Sequence, residues 1–295
     1  MTSSIKLPVQ SAIAELEKLC IPAIPMHKEI WHYTDAAGLR GIVSSGNIFA
    51  SEIHFLNDSR EAYYGHELIK KLLEGLKREP GPFVKYFDRL LSEISNFEHL
   101  HGVYVACFCE EGDLLSQWRG YGGGGTGYSV GINPLTFVHA VDEEWPNGFE
   151  VQQVIYDRTA QYAAVAKAVE IGTKVIGDCD DVNFERLCTA TLSTFSRFLS
   201  AFKHPAFSEE REWRLMSRIN PKTVQFRPRG NILIPYIELD VTSQQLTNTG
   251  KIPLTKIIHG PTLHSDTTKY SVRRLLDESS YLTVMVESSE IPLRI

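Results

Sequence analysis

The residues best suited to chemistry lie in three stretches far apart along the chain. They are Glu29-Ile30-Trp31-His32-Tyr33-Thr34-Asp35, Ser116-Gln117-Trp118-Arg119-Gly120-Tyr121 and Phe207-Ser208-Glu209-Glu210-Arg211-Glu212-Trp213-Arg214. An imidazole at a strand end beside a threonine hydroxyl, as at His32 and Thr34, can orient a polar ligand. Alternation along a strand puts Trp31 and Tyr33 on one face and His32 and Thr34 on the other. Read alone, His32 is as well explained by a bond to backbone. In a strand reading of the third stretch, Glu210, Glu212 and Arg214 share a face while Trp213 and Leu215 pack on the other. A carboxylate flanked by arginine at a strand edge stays ionised and can hold a sugar hydroxyl. The plain alternative is a surface ion-pair ladder, worth little in stability.

The elements that must position these groups follow from periodicity and breakers. Apolar spacing predicts a helix over 9–19, stopped by Pro22 and Pro25. After the Trp31 strand, Asp35 caps a helix over 36–44 and Gly46 closes it. Further strands are predicted at 48–51, 103–109, 128–132, 149–156, 210–216, 232–239, 252–258 and 281–286. Further helices are predicted at 61–76, 83–97, 159–176, 183–202 and 264–276. Strands and helices mix without strict βαβ alternation, which predicts an α+β fold. The simplest organisation is one domain over 1–295, with helical insertions at about 61–97 and 159–202.

Bulk properties narrow the function classes. The 295 residues are 43% hydrophobic and 22% charged, with net charge −6 and a pI of about 5.9. An acidic chain is a poor general nucleic-acid binder, although a local basic groove survives that balance. No apolar run reaches the ~18 residues of a membrane span, and the N-terminus lacks a signal-peptide core, so a cytoplasmic protein with no membrane partner is expected. The five cysteines (Cys20, Cys107, Cys109, Cys179 and Cys188) include no C-x-x-C pair. Cys107 and Cys109 read as buried thiols on one strand face, and no metal-ligating set is expected.

Two motif matches fail on context. Residues 122–127 spell G-x-G-x-x-G, but a strand follows where a dinucleotide fold needs a helix. That stretch reads instead as a mobile loop beside a ligand. Residues 127–131 spell G-x-S-x-G, and Ser129 with Asp240 and His259 has the chain order of a serine hydrolase. A nucleophile elbow needs strand–turn–helix, whereas Ser129 sits inside a strand.

Three constellations together resemble one family. They are H-Y-T followed by a helix, a glycine, a strand and N-D-x-x-E at Asn57, Asp58 and Glu61; C-F-C with S-Q-W-R-G-Y and G-Y-S-V-G-I; and K-H-P-x-F-x-E-E-x-E-W-R over 203–214. They resemble the bacterial family named domain of unknown function 2971, over nearly the whole chain. At fold level, His on the first strand, an aromatic on a middle strand and Glu on a late strand resemble the H-Y-E pattern of ADP-ribosyltransferases. The first stretch is also similar to DNA-modifying ADP-ribosylating toxins and RNA 2′-phosphotransferases. The resemblance implies a split mixed β-sheet with NAD bound as substrate, and a role as a toxin or antiviral defence effector. It implies that His32 bonds the adenosine ribose and the Tyr33 backbone holds the nicotinamide amide. Thr34, Ser116 and Arg119 would complete the binding set. Tyr128, or else Trp118 or Tyr121, would stack on nicotinamide. Glu212, with Glu210 next, would stabilise the oxocarbenium-like transition state. The acceptor is left open among nucleic acid, protein and small molecule. A non-enzymatic binding module on the same fold is the alternative.

Overall fold

The computed structural model describes residues 7–19, 29–56, 61–76, 83–96, 102–121, 126–134, 149–217, 224–239 and 251–292. It divides into two compact units. One is assembled from 1–22, 58–101 and 154–208, the other from 23–57, 102–153 and 209–295.

The first unit is helical. It comprises α1 (Leu7–Lys18), α3 (Glu61–Leu76), α4 (Val84–Ser95), α6 (Arg158–Val175) and α7 (Asp181–Ala201). The two regions expected as insertions thus pack with the N-terminal helix and with each other. Asp157 and Asp180 cap α6 and α7 through backbone N–H bonds, at Ala160 and Asn183. Phe198 and Phe202 stack at 5.2 Å within the core. No helix among the described residues is long and apolar enough to cross a membrane.

The second unit holds a mixed sheet, which makes the fold α+β. Its strands are β1 (Ile30–Thr34), β2 (Ile48–Glu52), β3 (Tyr104–Cys109), β4 (Tyr128–Ile132), β5 (Phe149–Gln153), β6 (Glu212–Ser217), β7 (Gln225–Arg229), β8 (Ile232–Leu239), β9 (Leu254–His259) and β10 (Met285–Ser288). The order is β10-β9-β4-β1-β3-β2-β8-β7, with β6 between β3 and β5, and among the described strand pairs only β10–β9 is parallel. Three helices accompany it: α2 (Ala36–Ser45), α5 (Leu115–Tyr121) and α8 (Ser265–Glu278). As expected, Asp35 caps α2 by accepting from the Gly38 N–H, and Gly46 closes it at φ 74°.

β3 is the branch point. One edge pairs with β6 along its whole length. The other edge is shared, with Tyr104 and Val105 pairing to β2 and Cys109 to β1. β1 and β2 therefore part between Val105 and Cys109. The main core lies on one face, from Ile30, Ala106, Phe108, Trp213 and Leu215. A smaller cluster of Trp31, Tyr33, Cys109, Trp118 and Ile258 lies apart from it.

Two expectations need correction at element ends. The third stretch does not run as a strand from Glu210: a 3-10 helix covers Pro205–Glu210, and β6 starts at Glu212. Arg211 breaks the run at φ 41°, a backbone region costly for a side-chain-bearing residue. Its guanidinium is held by Glu111 at 2.7 Å. The strand expected over 281–286 is also shorter and later, at Met285–Ser288.

Candidate functional site

Between the β3 residues that pair with β2 and those that pair with β1, a side chain reaches the Cys107 carbonyl. His32 Nδ1 lies 2.8 Å from that oxygen. A carbonyl only accepts, so Nδ1 carries the proton and Nε2 of the neutral ring is left as an acceptor. Burial lowers the His32 pKa, the Cys107 bond opposes that shift, and the Arg227 charge adds to it. His32 is therefore both a piece of the sheet and a neutral acceptor of fixed tautomer.

Trp31, His32, Tyr33, Cys107, Cys109, Gln117, Tyr121, Glu210 and Glu212 line one narrow cavity of about 40 Å³. Its floor is made by the β1–β3–β6 register, which sets Trp31 beside Cys109 and Cys109 beside Glu212. Tyr33 supports the wall through its phenol, which donates to the Glu111 carbonyl at 2.8 Å and accepts from the Leu114 N–H at 2.9 Å. Burial pushes the Tyr33 pKa well above its usual value. Trp31 needs two glycines beneath it. A Cβ at Gly112 would meet the indole at 2.5 Å, and one at Gly131 would meet it at 2.9 Å.

Glu212 is not part of a surface ladder. Arg214 Nε and Nη2 bond its two carboxylate oxygens at 2.7 and 2.9 Å. The two side chains are 3% and 1% exposed, so the pair is buried. The expected sharing of a face by Glu212 and Arg214 is what makes this bidentate bond, because residues two apart on a strand point the same way. Glu210 reaches the cavity from the end of the 3-10 helix instead.

The structure thus brings together His32, Tyr33, Tyr121, Glu210 and Glu212. Gln117, Cys107, Cys109 and Trp31 join them, and of these only the two thiols had been read as sharing a face. The other expected site residues lie elsewhere. Trp118 is fully buried against Tyr33 at 4.9 Å, with its indole N–H on Asp113, so it is a packing residue rather than a stacking platform. Ser116 and Arg119 are exposed on α5. Tyr128 lines a separate cavity of about 350 Å³ with Asp35, Thr126 and His259. Thr34 pairs with Tyr128 across β1 and β4, and its hydroxyl fills the space where Gly38 lacks a Cβ. Asn57, Asp58, 122–125 and Asp240 lie outside the described residues.

The Ser129–His259 pair does not form. Ser129 is fully buried and sits opposite Ile258, so His259, one residue along β9, faces the other way. The His259 ring is engaged by the Gly260 carbonyl at 2.9 Å and the Ser265 hydroxyl at 3.2 Å. Among the described residues no group of three or more His, Cys, Asp or Glu side chains could hold a metal ion.

No curated protein and no solved structure gives a significant match to this chain. Residues 117–215, from α5 through most of β6, match the model of a family described as "Protein of unknown function (DUF2971)".

Proposed function

We propose that the protein is an NAD-dependent ADP-ribosyltransferase on an ADP-ribosyltransferase-like split sheet. The observation that carries the reading is convergence. His32 of β1, its tautomer set by the Cys107 bond, and Glu212 of β6 are both among the residues lining one cavity, where β1 and β2 part along β3. His32 Nε2 would accept from a ribose hydroxyl. Glu212, oriented by Arg214, would sit against the ribose as positive charge builds there, with Glu210 as the second carboxylate. A guanidinium this close favours a charged carboxylate. Tyr121 would contact the nicotinamide ring. In the reaction the bond from ribose C1′ to the nicotinamide nitrogen breaks, with its electron pair leaving on nicotinamide. The acceptor nucleophile bonds C1′ and loses a proton.

One observation favours a non-catalytic binding module on the same sheet. The cavity of about 40 Å³ is far below the ~300–1,000 Å³ of small-molecule sites, so it admits only the end of a ligand. Incubating the full chain with NAD and measuring free nicotinamide by chromatography separates the two readings. Release above the uncatalysed rate is expected of the transferase and not of the module.

A further inference from the structure

His259, which Ser129 does not reach, meets a different serine. β9 ends at His259, α8 begins at Ser265 and β10 ends at Ser288, so 254–288 is a strand, a crossover helix and a parallel strand. The register of that pair sets Ser288 beside His259, at the carboxyl ends of both strands. The turn over 260–264 brings the first residue of α8 back to the same histidine. In sheets with such crossovers, ligands bind outside the carboxyl ends of the parallel strands.

The three side chains form one hydrogen-bonded line. His259 Nδ1 lies 2.9 Å from the Gly260 carbonyl. A carbonyl only accepts, so in the neutral ring Nδ1 carries the proton and Nε2 accepts. Ser265 Oγ lies 3.2 Å from Nε2 and 2.9 Å from Ser288 Oγ. Ser265 thus donates to the imidazole, and Ser288 donates to Ser265. His259 is buried and Ser265 half-buried, and with Ser288, Pro261, Leu263 and Ile291 they line a cavity of about 400 Å³. That volume lies within the ~300–1,000 Å³ of small-molecule sites. A hydroxyl within bonding reach of an imidazole that a third group orients is the arrangement of an activated nucleophile. Here a backbone carbonyl stands where a carboxylate often does. α8 has no side-chain cap, and the Thr268 N–H is the first to bond within it, to the His264 carbonyl. The N–H groups of Asp266 and Thr267 precede that bond and are donors for a developing oxyanion.

We propose that Ser265 and His259 hydrolyse a small carboxylic ester with a short apolar acyl group. Ser265 Oγ bonds the ester carbonyl carbon and its proton passes to His259 Nε2. The bond from that carbon to the alcohol oxygen then breaks, and the alcohol leaves with the proton from Nε2. Water bonds the acyl carbon and gives a proton to Nε2. Ser265 departs with that proton, and the carboxylic acid is released. An ester suits a base oriented by a carbonyl rather than a carboxylate, because an alcohol leaves more readily than an amine. Pro261, Leu263 and Ile291 suit an apolar acyl group. Among the described residues lining the cavity there is no lysine or arginine, so a phosphate ester meets no cation there. The reaction uses no NAD and goes beyond the transferase reading.

The test is incubation of the full chain with p-nitrophenyl butyrate, with p-nitrophenyl phosphate and with a fluorophosphonate, whose adduct is located by mass spectrometry. Wild type is expected to release p-nitrophenol from the butyrate above the buffer rate and to carry the adduct on Ser265. Ser265→Ala is expected to lose the adduct and roughly 10²-fold or more of the release, the worth of general-base catalysis at a positioned nucleophile. His259→Ala is expected to lose both likewise. Should His259→Ala not fold, the wild-type adduct and the half-buried Ser265→Ala variant still decide. A folded wild type with neither adduct nor release overturns the site and leaves the line of side chains as a tie between α8 and β10. An adduct on another serine, or release undiminished in Ser265→Ala, also overturns it. Phosphate turnover faster than the butyrate and lost in Ser265→Ala overturns the substrate class. No arm contains NAD, so the result stands apart from nicotinamide release.

Discussion

His32 closes the sheet with its side chain: Nδ1 sits 2.8 Å from the Cys107 carbonyl, at the point where β1 and β2 separate. The structural bond uses Nδ1 and the proposed ligand contact uses Nε2 of the same ring, so the two roles can be separated by substitution. His32→Asn places an amide N–H near the Nδ1 position and removes the Nε2 acceptor. Its stability should stay near wild type, whereas His32→Ala should lose about 1–2 kcal/mol by removing the bond to the Cys107 carbonyl. Denaturant unfolding of the three proteins measures this. Equal losses in both variants would remove the structural role.

The pH dependence of stability carries a sign from each of two histidines. His32 has its pKa lowered by burial, so the unfolded chain binds the extra proton first. Its contribution is complete above the ordinary value of 6.5 and is lost as pH falls below it. The His54 pKa is raised by its bond to Glu52 at 2.7 Å. That contribution is complete below 6.5 and is lost as pH rises through the raised value. Melting curves between pH 5 and 8 should therefore lose their acid-side slope in His32→Asn. In Glu52→Gln they should lose slope on the alkaline side instead.

The Glu212–Arg214 pair should behave as a buried one. Removing one partner, as in Glu212→Ala or Arg214→Ala, should cost about 3–5 kcal/mol by leaving the other charge uncompensated. Replacing both with apolar residues of similar volume should recover most of that loss. A double-mutant cycle read by denaturant unfolding gives the coupling. Additive losses would mean that the pair is solvated.

Trp31 packs on Gly131 so closely that one methyl group has no room. A Cβ there would lie 2.9 Å from both the indole and the Thr255 hydroxyl. Gly131→Ala should cost about 1–3 kcal/mol as overpacking, with a changed near-ultraviolet signal from the displaced indole. An unchanged melting curve would contradict the tight packing.

The site was legible where pattern and chemistry coincide. Trp31 to Gly46 reads directly as strand, cap, helix and stop, because each end carries a residue with one local use, Asp35 as acceptor and Gly46 at positive φ. The same alternation placed Glu212 beside Arg214. What the chain hid was long-range. Burial of that pair depends on cover that no period in the segment reveals. β7 escaped notice because Pro228 and the arginines look like a loop, and its strand state comes from pairing with β8. Trp118 and Tyr121 lie on one short helix, α5, yet only Tyr121 reaches the cavity. Helical spacing sends them to different faces, which a reading that assigned no helix to that stretch could not resolve.

The most direct measurement of the central claim is nicotinamide release from NAD by wild type and by Glu212→Asp, each beside its melting curve. The Asp variant keeps the charge and stays within reach of Arg214, but withdraws the carboxylate by one methylene. The account predicts release by wild type and a loss of at least ~10² in the variant at nearly unchanged stability, as expected when a reacting group is misplaced by about 1 Å. No release by well-folded wild type would contradict it, as would equal release by the two proteins.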